Sequence, residues 1–194
     1  MLVIFRRTGQ RQYAIEARRP RFGAVEMNPA PGYDELMPHD LLHLVVEAQL
    51  GLTHGIFGQL AAGGHAGTFR SYVGPAKSTR DAARRQRHLD VRGKKLLRAG
   101  HDESLQSERA TFICRHAWLA RSEAKARRKT AQTMTAQAKQ VRGVASGKEM
   151  RALSEQKLEQ ICLHLDELSS HWSQLKIGES MIVNWPDLSV SISE

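Results

Sequence analysis

The pattern of apolar and polar positions is strand-like at both ends of the chain and helix-like between them. Residues 2–7 are apolar and β-prone, Thr8-Gly9-Gln10 supplies a turn, and residues 11–18 alternate through Tyr13 and Ile15, which predicts a hairpin. Residues 22–27 form a third, shorter strand. The stretch Asn28-Pro29-Ala30-Pro31-Gly32-Tyr33-Asp34 is expected to end it, because two prolines remove ladder donors and fix φ. Pro38 suits the first turn of a helix and Gly51 its end, so the apolar run between them predicts a helix. Residues 55–62 fit a short second helix before Gly63-Gly64.

The last third has the clearest period. Ser154 is a good N-cap, with Leu153 and Leu158 placed as a hydrophobic staple. Leu158, Ile161, Cys162, Leu165, Leu168, Trp172 and Leu175 follow at helical spacing and make one apolar face. Gly178 is expected to end this helix, and residues 181–185 read as a closing strand before Pro186. The expected fold class is α+β: a small antiparallel sheet of the N-terminal hairpin plus the C-terminal strand, packed with helices on one face.

The middle is different. Residues 76–100 are rich in Arg and Lys with few apolar anchors, and residues 103–120 regain helical spacing through Leu105, Phe112, Ile113 and Leu119. Residues 121–148 have almost nothing to bury, so they read as an exposed helix or a disordered arm. Three segments result: 1–75 with the hairpin and first helix, 76–151 as a basic helical or flexible insert, and 152–194 completing the same core.

Charge sharpens that division. The net charge is +9, but residues 76–151 alone carry twenty basic and seven acidic residues, a balance of +13. Clusters at Arg84-Arg85-Gln86-Arg87, Lys94-Lys95 and Arg127-Arg128-Lys129 suit phosphate backbones, so nucleic acid or another polyanion is an expected partner of this block. Aromatics there are limited to Phe112 and Trp118, which gives no support for base stacking on single strands. The competing reading is a solvated charged insert. The opening Met1-Leu2-Val3-Ile4-Phe5 is too short for a signal-peptide core, and no run approaches the roughly 20 apolar residues of a membrane span, so a cytoplasmic location without membrane contact is expected. Cys114 and Cys162 form no CxxC pair and read as reduced thiols on helix faces.

The concentrated chemical signal is Pro38-His39-Asp40-Leu41-Leu42-His43-Leu44-Val45-Val46-Glu47. His39 and His43 are four apart, the spacing by which two imidazoles on one helix reach a single metal. At about 100° per residue, Glu47 and Asp40 fall on the same arc, while Leu41, Leu42, Leu44, Val45 and Ala48 fill the rest. Residues 22–69 contain no Lys or Arg, yet hold Glu26, Asp34, Glu35, Asp40 and Glu47. A carboxylate buried there without a cation costs several kcal/mol or stays protonated, and a divalent ion would satisfy it. His39, His43 and Glu47 are therefore the expected ligands of a divalent metal. Two histidines and a carboxylate with an open position suit zinc first, and also iron or manganese. Asp40 is the expected proton acceptor or the partner that fixes an imidazole tautomer. His54 and His65, in glycine-rich stretches, are extra ligand candidates whose plainer reading is a loop histidine. The plainer alternative for the main cluster makes Asp40 a helix-start acid and pairs Glu47 with an arginine from the basic block.

Pro29-Ala30-Pro31-Gly32-Tyr33-Asp34, then Met37-Pro38-His39-Asp40-Leu41-Leu42-His43 with Glu47, then Phe57-Gly58-Gln59-Leu60-Ala61-Ala62-Gly63-Gly64, resemble an uncharacterised bacterial protein family. The closing helix with Trp172, Gly178 and Trp185-Pro186 resembles that family's C-terminus, and the likeness spans residues 1–70 and 150–190. No established activity comes with it. The HDxxH core is also similar to that of the ubiquinone-biosynthesis zinc proteins, which implies a zinc site. Those proteins place a glutamate about a dozen residues further on, where this chain has Gly55, so Glu47 would have to replace it. The expected function is divalent-metal binding with metal-dependent hydrolysis, and the alternative is a polyanion-binding module built on residues 76–151.

Overall fold

The computed structural model describes residues 1–72 and 79–193, so the segment boundary expected at residues 75–76 lies outside the described residues. The expected hairpin is β1 (Leu2–Gly9) against β2 (Gln12–Arg19), with Val3 opposite Ala17 and Phe5 opposite Ile15. β3 (Gly23–Ala30) pairs with β2, setting Met27 opposite Ile15 and Val25 opposite Ala17. A two-residue β4 (Arg70–Ser71) lines the outer edge of β3. On the other side β5 (Ser180–Asn184) pairs with β1, and β6 (Val190–Ser193) pairs with β5. The antiparallel sheet therefore runs β4-β3-β2-β1-β5-β6, which closes the N- and C-terminal parts of the chain into one core. Alternation puts Val3, Phe5, Ile15, Ala17, Val25, Met181 and Val183 on one fully buried face. The other face carries polar pairs such as Arg18 with Glu16 at 2.7 Å.

β3 runs three residues beyond the stretch that the sequence pattern assigns to it. Tyr13 pairs with Ala30 and Ile15 with Met27, so Asn28 and Pro29 together oppose Ala14. The proline sits in this bulge, where the ladder is already irregular and a missing donor matters least.

The helices are α1 (His39–Leu50), α2 (Ile56–Ala61), α3 (Thr79–Ala99), α4 (His101–Ala120), α5 (Lys125–Val144), α6 (Gly147–Ala152) and α7 (Glu155–Gln174). α1 is central and packs against α2, α4 and α7. Its Leu41, Leu42, Leu44, Val45 and Val46 are at most 2 % exposed, each contributing about 1.5–3 kcal/mol relative to an exposed position. Gly51 ends it in the left-handed conformation at φ 65°. Ser154 caps α7 by accepting from Lys157 N, as its sequence predicts, but α7 stops at Gln174 and Gly178 (φ 98°) instead shapes the turn into β5. Residues 125–144, expected as a helix or an arm, are a helix whose Ala131 joins the core and whose Ala138 is also buried.

The connector before α1 fixes where that helix starts. Asp34 Oδ1 accepts from Leu36 N at 2.8 Å, Trp172 Nε1 donates to Asp34 O, and Ser169 Oγ donates to Leu36 O. α7 thus holds residues 34–36 in place. Gly32, at φ 71°, brings its backbone so close to His39 that a Cβ there would stand 3.0 Å from His39 Cβ.

Candidate metal centre

His39 and His43 lie on successive turns of α1, their rings edge to face with centroids 4.7 Å apart. Their Nε2 atoms are separated by 3.1 Å. Glu108 of α4 brings Oε2 to 3.6 Å from His43 Nε2. One ligand atom from each of His39, His43 and Glu108 lies within 4.8 Å of the others, a group close enough to hold a metal ion. With metal–ligand bonds of about 2.05 Å, the 3.1 Å separation subtends about 98° at an ion. The 3.6 Å separation subtends about 120° on the same bond length. Both angles suit a four-coordinate ion. His43 is 1 % exposed and the Glu108 side chain 62 %, so the group joins a buried anchor to a solvent-facing arm that can turn to close the third edge.

Glu47 was the carboxylate expected in this place, and the structure sets it elsewhere. Eight residues advance a helix by about 12 Å, so Glu47 shares an arc with His39 but not a level. Its carboxylate is fully buried and accepts from Ile56 N and Phe57 N at the start of α2, both at 2.8 Å, and from Ser107 Oγ at 2.7 Å. Backbone donors and a hydroxyl thus replace the arginine or metal that the cation-free window suggested. Burial still pushes the Glu47 carboxyl above its usual range.

Ser107 links Glu47 to the metal group. Its proton goes to Glu47, so its oxygen is left to accept from His43 Nδ1 at 2.9 Å. Thr111 Oγ1 adds a contact to the same nitrogen at 3.3 Å. With hydrogen on Nδ1, a neutral His43 would turn its Nε2 lone pair toward His39 and Glu108. This is the tautomer a metal requires.

The titration of the group follows its surroundings. Burial pulls the His43 imidazole down, but the hydrogen bond to Glu108 and the charges of Glu47, Glu108 and Asp40 carry its pKa above the usual value. Burial and then the neighbouring His43 lower that of His39. The hydrogen bond to His43 lowers that of Glu108. A proton on His43 would therefore compete with any metal ion for the space between these three side chains.

Asp40 is buried, and its Oδ2 lies 2.6 Å from Tyr13 Oη. Tyr13 Oη is also 2.5 Å from Pro31 O. The hydroxyl has two acceptors within reach, and its hydrogen bond to Asp40 ties that carboxyl to β2. Burial raises the Asp40 carboxyl, and the hydrogen bond from Tyr13 works against that rise. The side chain pins the first turn of α1 to β2, whereas the sequence reading expected it to act on an imidazole or a proton at the metal.

His54 and His65 lie outside the group. His54 pairs with Glu103 at 3.4 Å, and His65 Nδ1 accepts from Gly67 N at 2.8 Å in a buried loop. Cys114 and Cys162 are buried free thiols on helices, and burial raises both, Cys162 to about 11. Sequence reasoning missed Glu108. Its signal was slight: Ser107 and Thr111, polar and four apart, on the buried face of α4 beside Ala110 and Cys114. Among the described residues no helix is long and apolar enough to cross a membrane. Compared with family models, curated proteins and solved structures, the chain matches none.

Proposed function

We propose that this protein binds one divalent metal ion, zinc in the first instance, through His39, His43 and Glu108, and uses it for hydrolytic chemistry. The observation that carries the reading is the approach of His39 Nε2 and Glu108 Oε2 to Nε2 of the buried His43. Ser107, itself bonded to Glu47, contacts His43 Nδ1, which leaves Nε2 toward a second imidazole and a carboxylate. Two nitrogens and one oxygen leave a position for water, and zinc lowers the pKa of such a water to about 7. His39 and Glu108 stand on the exposed side of the group, where a substrate could approach. In this reading Asp40 positions the first turn of α1, and Glu47 acts through Ser107 rather than as a ligand.

Metal analysis of protein purified without a histidine tag tests this. One bound ion per chain is expected, removed by His43→Ala and unaffected by His88→Ala. Stoichiometric metal surviving the double change His39→Ala and His43→Ala would place the site elsewhere. Protein that stays metal-free when offered zinc, iron or manganese would reduce the cluster to a buried polar network.

The charge of residues 76–151 favours a second reading, adhesion to polyanions. α3 and α5 expose Arg84, Arg87, Lys94, Lys95, Arg128 and Lys129. Binding to duplex DNA would then weaken steeply with salt as counterions are released; binding indifferent to salt would remove this reading.

A further inference from the structure

The strongest concentration of uncompensated charge is a concave site, away from the metal group, between α3 and the β2–β3 turn. A cavity of about 750 Å³ is lined there by Arg19, Arg84, Arg85, His88, Arg92 and Lys95, with no Asp or Glu among the described residues of its wall. Arg85, His88, Arg92 and Lys95 recur at spacings of three and four, which aligns them on one side of α3. Gln86 fixes that helix to the sheet edge by accepting from Ser71 N at 2.8 Å. Arg92 stacks over Phe22, its guanidinium carbon 4.5 Å from the ring centroid. The stack covers Gly63, where a Cβ would meet Phe22 and Arg92.

Two features show that the site is built for an anion rather than merely basic. Arg85 Nε and Nη2 are buried and have no hydrogen-bond partner among the described residues. Buried guanidinium donors are costly unless something accepts from them. Arg19, 5 % exposed, spends its donors on the carbonyls of Gly23, Gly64 and Phe22, so its hydrogen bonds are met but its charge is not. Burial and then the charge of Arg92 lower its pKa to about 10. None of the five cations in the wall has a carboxylate within salt-bridge distance among the described residues.

We infer that this cleft binds a small polyphosphate-bearing anion. Arg85, Arg92 and Lys95 hold the phosphates, and the buried Arg19 charge lies behind them. Guanidinium forks match phosphate oxygens in pairs, and the ligand must bring several negative charges to balance the wall. The volume lies in the range of small-molecule pockets. Cations gathered around a concavity suit a ligand that enters it, not a duplex backbone passing over the surface. Tyr72 and Phe22 in the same wall would lie beside an organic group attached to the phosphates.

Calorimetric titration of the full chain with pyrophosphate and with ATP, without added divalent metal and at about 0.15 M salt, tests the assignment. Saturable binding of one equivalent is expected, whether ATP binds like pyrophosphate or more tightly. Arg85→Gln and Lys95→Gln should each weaken it about tenfold or more; Lys95 is exposed, so its variant tests the site without disturbing the core. Arg128→Gln on α5 should change nothing. The assignment fails if neither probe binds saturably, or if the cleft variants bind as the parent does. It also fails if only duplex DNA binds and Arg128→Gln weakens it as much as Arg85→Gln, which would make the charge a surface polyelectrolyte effect.

Discussion

Ser107 is the residue on which the proposed metal chemistry turns, although it is not one of the three proposed ligands. By giving its proton to Glu47 it can only accept from His43 Nδ1, and so it sets which nitrogen of His43 is free. Ser107→Ala should lower zinc affinity about 10- to 100-fold, the usual cost of losing the group that orients a ligand, with the circular dichroism of the chain unchanged. An unchanged affinity would show that packing alone orients the ring. The raised His43 sets the pH dependence. Zinc must displace the proton that His43 binds, so apparent affinity should fall as pH drops through the raised His43 value, and protons should be released on binding. A zinc titration at several pH values that shows constant affinity would contradict this.

At the scale of elements, α5 tests how little burial is enough to hold a helix. Ala131, Met134, Ala138 and Val141 recur at spacings of three and four, and the two alanines are at most 3 % exposed, so α5 lies close along α4. Ala138→Leu should destabilise the chain by about 1–3 kcal/mol through overpacking. The exposed Ala136→Leu should stay within about 0.5 kcal/mol in the same denaturant titration. Equal stability of both would mean that α5 is not packed there. The sequence shows this helix only faintly, because small residues carry little apolar signal even when they are the ones that fit. Elements with large side chains were plain: Phe5 against Ile15, Leu158 to Trp172 along α7, and Leu41 to Val46 in α1 all announce their period. β3 outran its expected end because a bulge absorbs Pro29, and local pattern cannot foresee a bulge. His39 and His43 were legible because helical spacing alone brings them together. Glu108 was not, because its place depends on how α4 docks against α1, and the Glu47 carboxylate lies on the Nδ1 side of His43, where Ile56 N and Phe57 N hold it.

The whole molecule presents two separate concentrations of chemistry on one sheet-backed core. His39, His43 and Glu108 gather where α1 meets α4, and the arginine-lined cleft lies where α3 meets the β2–β3 turn. The first depends on long-range docking that ties together the chain's start and end: β5 beside β1, α7 holding the connector, and the connector setting the start of α1. Glu108 offers the most direct test of that assembly, since it is exposed and its loss leaves the core intact. The decisive measurement is a calorimetric zinc titration of tag-free protein beside its Glu108→Ala variant. One zinc per chain is expected for the parent, with affinity at least about tenfold weaker in the variant. Equal affinity in the two proteins, or no zinc binding by the parent, would contradict a metal centre made of His39, His43 and Glu108.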